Sequence, residues 1–300
     1  MRVEHLAEAV AVGAPELFVD VTHSCRVSFM YRELPGNYLE EAIQALREAL
    51  STELSAECYK VVEDYLLPAL AVAQAPPVIP ESPIEQDGPH IDVARRFLLA
   101  TLEGTPEVAL DLMRGLLDQK VPIGDLHDHI LIPALKEVGR MWQLGEAPIA
   151  DEHLTSRTVH RALEMIQQDL PAPSADGPRV LAFAVSGNPH DLPIRMVCQR
   201  MELAGFQVTD LGSNMPASDL AWAVTDRPFD LLAVSATLLQ HLGAAADVVR
   251  RRNTELGGKP PILFGGGVFG LVPDLHERLG GEASAATAKG AVEAAKNLLA

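Results

Sequence analysis

Four short apolar runs, RVLAFAVS, FQVTDLG, DLLAVSA and PILFGG, lie between Arg179 and the end of this 300-residue chain and constrain its fold more than any other feature. Runs of that length without polar alternation suit strands covered on both faces, as in a parallel sheet. Between them IRMVCQRMELAG, ASDLAWAVTD and LGAAADVVRRRN carry helical spacing. Right-handed crossovers then predict a doubly wound parallel-sheet domain, Rossmann- or flavodoxin-like, over residues 179–300, with ligands at the carboxyl ends of its strands.

The rest of the chain reads as all-α. Residues 1–72 form an acidic helical module, in which Tyr38–Leu50 and Ala56–Leu70 repeat apolar residues at three- and four-residue spacing. A proline-rich stretch at residues 73–90 has no helical period and predicts a linker. Residues 91–170 predict four amphipathic helices joined by short turns, hence a four-helix bundle. Thr105 stands as the N-cap before Pro106 in the second of them. The break DLPAPSADGP, Asp169–Pro178, separates this bundle from the sheet.

Charge narrows the possible partners. The formal net charge is -17, and residues 1–72 hold five basic against twelve acidic side chains, a net of -7. Phosphate backbones need clustered Lys and Arg, so no nucleic-acid partner is expected. Cys25, Cys58 and Cys198 are few and widely spaced, which predicts neither a disulfide framework nor a CxxC metal pair and suits a reducing cytoplasm. The opening MRVEHLAEAV lacks the pattern of an export signal, and no long apolar run predicts a membrane segment.

Candidate chemistry gathers at the predicted strand ends. The first strand runs into Ser186-Gly187-Asn188-Pro189-His190-Asp191-Leu192-Pro193, where His190 can project an imidazole from the sheet edge. Ser235-Ala236-Thr237 ends the third strand with two small hydroxyls. Gly265-Gly266-Gly267 ends the fourth, where missing side chains would let a large ligand reach the backbone. Together these outline a deep slot beside an axial ligand.

With these residues in place, residues 179–300 resemble the cobalamin-binding domain, in which a D-x-H-x-x-G loop supplies the lower axial histidine of the corrin cobalt. S-x-L/T and G-G elements line the channel for its dimethylbenzimidazole tail. IPALKEVGRMWQLGEAPIADEH resembles the helical cap that precedes this domain in methionine-synthase-like and photoreceptor proteins. Trp142, nine residues, then Glu152-His153 is similar to the W-x9-E-H pattern of CarH-type light receptors. The resemblance implies His190 as the cobalt ligand. It further implies Asn188, Asp191, Leu192, Ser235, Thr237, Gly265, Gly266 and Gly267 around the cofactor, with Trp142, Glu152 and His153 over the upper, adenosyl face. The implied function is a cobalamin-dependent light sensor that holds adenosylcobalamin between cap and sheet domain and changes conformation or assembly when light breaks the Co–C bond.

Three departures qualify that pattern. Asn188 replaces the acid that supports the axial histidine, which predicts a neutral amide contact and a weaker Co–N bond. Pro193 stands in place of glycine. Gln143 follows Trp142 where CarH-type receptors place the histidine that captures cobalt after photolysis.

The acidic module replaces the basic DNA-binding head of CarH-type repressors and resembles the layout of photocobilins, which hold biliverdin beside cobalamin. Phe29, Tyr31, Tyr38, Tyr59 and Tyr65, with His5, His23 and Cys25, would line such a site. A packing or dimerisation module, acting in a homo-oligomer or on a protein partner, is the alternative. Rival readings of the whole chain are a corrinoid methyl carrier for a methyltransferase and a cobalamin-binding-domain protein that has lost its cofactor. No nucleophile–base pair is visible, so independent catalysis is not expected. His127 and His129 read as solvated or packing residues, Cys198 as core, and Arg250-Arg251-Arg252 as a solvated helix end.

Overall fold

The computed structural model describes residues 3–172, 174, 176–225 and 227–300. Arg2 of the charge count, Pro173 and Ala175 of the break, and Asp226 closing the ASDLAWAVTD pattern lie outside the described residues. Two units divide the chain: residues 1–77 with 173–300, and residues 78–172.

The first unit is built on five parallel strands, β1 (Arg179–Ala184), β2 (Gln207–Asp210), β3 (Leu231–Ser235), β4 (Ile262–Gly265) and β5 (Ala283–Ala285), in the order β2-β1-β3-β4-β5. Four of them coincide with the apolar runs. β5 has no comparable run, being three small residues of GEASAATA held as an edge against β4. Crossovers are made by α10 (Leu192–Leu203), α11 (Leu220–Thr225), α12 (Leu242–Glu255), α13 (Gly267–Leu271) and α14 (Leu275–Leu279), and α15 (Ala288–Leu299) ends the chain.

Period-two geometry sends alternate strand residues to opposite faces. Val180, Ala182, Leu231, Ala233 and Leu263 pack with Ile194, Cys198 and Met201 of α10 and with Ala291 and Ala295 of α15. Cys198 is core, and burial pushes its thiol well above its ordinary pKa. Leu181, Phe183, Leu232, Val234 and Phe264 face the other way, onto Ala245, Val248 and Val249 of α12.

That second face also carries the N-terminal helices, α1 (Val3–Ala11), α2 (Pro15–Tyr31), α3 (Tyr38–Glu53) and α4 (Ala56–Gln74). Leu6, Ala9, Leu17, Phe18, Ile43 and Leu66 belong to the same core as Phe183 and Phe264. Arg278 of α14 extends the join by donating to the backbone carbonyl of Gly13. The acidic module is therefore a layer of the sheet domain.

Arg252 departs from the expected solvated helix end. It is 3% exposed and pairs through both carboxylate oxygens with Glu282 at 2.7 and 2.8 Å, while also donating to the Gly280 carbonyl. Glu282 in turn accepts the Ile262 N–H at 2.7 Å, so the pair braces the entry to β4.

The second unit contains α5 (Ile91–Leu102), α6 (Pro106–Asp118), α7 (Ile123–Leu126), α8 (Ile132–Gln143) and α9 (Ile149–Asp169). Phe97, Leu110, Met113, Leu131, Val159 and Leu163 fill its interior, and the buried hydroxyls of Thr101 and Thr155 join α5 to α9 at 2.9 Å. The third expected helix is interrupted by a π-helical turn, His127–Leu131, closed by Ile132 N–H on the His127 carbonyl. Pro133 follows: it has no N–H to give and its ring crowds the carbonyl four residues back, which favours the wider turn. His127 is fully buried there. Thr105 precedes Pro106 as expected but does not cap through its side chain, because its hydroxyl donates back to the Ala100 carbonyl at 3.0 Å. The proline-rich segment folds onto this unit, with Arg95 Nε donating to the Ile84 carbonyl at 2.7 Å.

The fold class is thus the expected one, helical segments together with a doubly wound parallel sheet. No helix among the described residues is long and apolar enough to cross a membrane.

Candidate functional site

Strand order reverses direction between β1 and β3, and in such sheets the crevice beyond the carboxyl ends at that point receives the ligand. The loop 185–191 rises there between β1 and α10. Gly187 takes a φ of +77°, which its lack of a Cβ permits. Its N–H donates to Asn214 Oδ1 at 2.7 Å. Asn188 then turns inward and is completely buried.

Four hydrogen bonds fix the Asn188 amide. Its Nδ2 donates to the Ser235 carbonyl at 3.2 Å and to Thr237 Oγ1 at 3.1 Å, and its Oδ1 accepts from both His190 N and His190 Nδ1 at 3.1 Å. A carbonyl oxygen can only accept, so the amide cannot be reversed, and His190 Nδ1 must carry the hydrogen. The uncharged His190 ring therefore keeps its lone pair on Nε2, on an exposed side chain. Asp191 and Leu192 begin α10, Leu192 buried and Asp191 at the N-cap position. Pro193 occupies the first turn of that helix, where no N–H is needed.

Beside this loop, Ser235 ends β3 in the interior and Thr237 is half-buried. The triple glycine has a more local cause than ligand access alone. Gly266 has a φ of +124°, and a Cβ there would lie 2.0 Å from the Ala236 carbonyl oxygen. A Cβ on Gly267 would lie 3.2 Å from the Thr237 oxygen, and one on Gly265 3.6 Å from that of Ala285. Close approach of the two strand ends thus demands glycine at position 266 before any ligand does.

Two further residues meet this loop that sequence reasoning passed over. Asn214 adopts a φ of +59° after β2, and its N–H reaches the Asn188 carbonyl at 3.3 Å. The readable signal was an Asn in the turn-forming GSNMP. His241 is 2% exposed, with its ring centroid 6.2 Å from that of His190. Desolvation, then the neighbouring His190, lowers its pKa to about 4. Nothing in the sequence distinguishes it from a surface histidine.

In the second unit, Trp142, Glu152 and His153 flank the short connection from α8 to α9. Trp142 is 40% exposed, so the core role usual for a lone Trp does not account for it. His153 Nδ1 lies 2.7 Å from Glu152 Oε2, and Ser156 Oγ donates to the other carboxylate oxygen at 2.7 Å, which orients the pair. Gln143 ends α8 next to Trp142.

Residues 178–296 match the family described as B12 binding domain, and residues 93–167 match a second family of the same description, together about two thirds of the chain. The chain belongs to the B12-binding proteins. The HTH-type transcriptional repressor CarH of Myxococcus xanthus is 26% identical over 216 residues, covering 71% of this chain and 71% of that one. Dimethylamine corrinoid protein 3 of Methanosarcina acetivorans is 24% identical over 182 residues, 60% of this chain and 84% of that protein. In architecture this B12-binding protein is similar to the monomethylamine corrinoid protein of Methanosarcina barkeri, with a TM-score of 0.58 over 69% of this chain and 96% of that one at 22% identity. The relatives thus include both a repressor and corrinoid proteins.

The residues at the β1–β3 crevice fit cobalamin. Among the described residues no cluster of three or more His, Cys, Asp or Glu could hold a bare ion. One imidazole whose Nε2 lone pair is set by Asn188 is what a cobalt already held by a corrin ring requires.

Proposed function

We propose that this protein is a cobalamin-dependent light sensor. In this reading His190 Nε2 would hold the cobalt, its ring fixed by Asn188. Ser235, Thr237 and Gly265–Gly267 line the path of the nucleotide tail, with Asp191 and Leu192 at the rim. Trp142, Glu152 and His153 attend the adenosyl group. Bound adenosylcobalamin would supply a Co–C bond that light can break.

The protein's part is to orient and to respond. Asn188 holds the His190 ring and its tautomer. Glu152, itself fixed by Ser156, orients the His153 ring. The observation that carries the light-sensing reading is Trp142, a large aromatic left 40% exposed at the end of α8, beside that prearranged carboxylate–imidazole pair. Gln143 offers no imidazole, so His153, oriented by Glu152, is the imidazole nearest in sequence to Trp142.

A corrinoid carrier for a methyltransferase is the second reading, favoured by the similarity to the dimethylamine corrinoid protein. Illumination with green light of the protein loaded with adenosylcobalamin separates the two, read by absorption and by size-exclusion chromatography. A light-dependent change of elution volume, absent in Trp142→Ala, supports the sensor. A changed cobalamin spectrum with an unchanged elution volume and unchanged amide exchange would leave the carrier. Biliverdin would be a second chromophore in the N-terminal helices, where Phe29 and Tyr38 stack edge to face at 5.9 Å. Added biliverdin should then acquire a red-shifted bound spectrum.

A further inference from the structure

The N-terminal helices share a core with the sheet domain, and one short turn of that unit meets both α1 and the axial loop. This is the 3-10 turn Leu239–His241, which leads into α12. His241 Nδ1 accepts the Leu238 N–H at 3.1 Å, so the ring is part of the turn and its hydrogen lies on Nε2. That Nε2 is buried without a hydrogen-bond partner. Buried donors are rarely left so, and this one lies against the loop that carries His190.

On its other side the turn is tied to α1. His5 Nε2 donates to Gln240 Oε1 at 3.1 Å. The Glu8 carboxylate lies against Gly243 in the first turn of α12, where the backbone N–H groups have no partner within the helix. The approach is close, since a Cβ on Gly243 would lie 2.7 Å from Glu8 Oε1. Leu239 and Leu242 bury in the same core as Leu6 and Ala9. Polar and apolar contacts therefore hold the turn to α1, while its His241 ring lies beside the axial loop.

We propose that the Leu239–His241 turn couples the cobalamin site to the N-terminal helices, so that cobalt ligation by His190 changes the stability of α1. The proposal rests on His190 as the axial ligand. Ligation fixes the His190 ring, and with it the 187–190 loop, and the buried His241 ring lies beside that imidazole, 6.2 Å from centroid to centroid. Any shift of the His190 ring then bears on the buried His241 ring, and so on the turn that rests against Glu8 and His5. Coupling of this kind is reciprocal: if ligand steadies α1, loosening α1 must weaken the ligand by the same factor.

Hydrogen exchange followed by mass spectrometry on the full chain tests it, with and without hydroxocobalamin, in wild type and in Glu8→Ala/Gln240→Ala. Gln240→Ala alone serves if the double variant unfolds, since Gln240 is exposed. The expected result is an exchange change of about fivefold or more in residues 3–11 on binding, lost in the variant although the cobalamin still binds. Unchanged exchange in wild type with cobalamin bound, or a change that persists in the variant, overturns the coupling while leaving His190 as ligand. Failure of wild type to bind hydroxocobalamin overturns the axial reading itself and the coupling with it.

Discussion

Replacing Asn188 by Ala should separate the stability of the axial loop from the ligand it carries. The substitution removes two donated and two accepted hydrogen bonds, each 3.1–3.2 Å long, from a side chain with no exposed surface. Each such bond contributes about 1 kcal/mol net, and an abandoned buried partner costs about 1–3 kcal/mol more. Here the partners are spared most of that second cost. The Ser235 carbonyl still accepts the Val185 N–H at 3.1 Å, Thr237 is half-buried, and the His190 ring reaches solvent. The loss should therefore be about 2–4 kcal/mol in the cobalamin-free protein. At about 2–4 °C per kcal/mol for a unit of this size, the midpoint should fall by about 4–16 °C. Thermal unfolding followed by circular dichroism measures it, with His190→Ala as the comparison, which should cost less than about 1 kcal/mol because only one exposed side-chain bond is lost. Equal midpoints for wild type and Asn188→Ala would refute the loop-anchoring role derived from the four bonds. A fall as large in His190→Ala would show that the histidine, not the amide, holds the loop.

Gly266→Ala and Gly265→Ala should differ sharply. The first places a Cβ 2.0 Å from the Ala236 oxygen at a φ of +124°, the second only 3.6 Å from the Ala285 oxygen. About 3 kcal/mol or more is expected for position 266 and under about 1 kcal/mol for 265, measured by urea unfolding; equal losses would reject the close-approach explanation. Acid should weaken the cobalamin-free protein through His241. Its folded pKa of about 4 lies below the unfolded value of 6.5, so the stability it contributes is intact above pH 6.5 and is lost as pH falls towards 4. The loss approaches about 3 kcal/mol, and denaturant midpoints between pH 7 and 4 should be flatter in His241→Gln; parallel curves would contradict a buried neutral imidazole.

The doubly wound sheet was legible because its strands are covered on both faces: RVLAFAVS, DLLAVSA and PILFGG are continuously apolar, and so buried parallel strands announce themselves locally. β5 escaped because an edge strand of three small residues owes its state to pairing with β4, which no local pattern records. The π-helical turn at His127–Leu131 was likewise hidden inside an otherwise regular helical period.

For the site, the sequence alone placed His190, Asn188, Ser235, Thr237 and Gly265–Gly267 at strand ends, since a strand followed by a helix fixes which end of the sheet its loop occupies. It could not say how they bond. That Asn188 aims its amide nitrogen at β3 and its oxygen at His190, and thereby chooses the histidine tautomer, depends on residues 47 and 49 positions away in the chain. Nor could it show that Gly266 answers to the Ala236 carbonyl, that His241 lies beside the axial loop, or that Glu8 reaches Gly243. Spacing and hydrophobic period act along the chain and are readable there, whereas donors, acceptors and close contacts are paired across it, and only packing decides which meet.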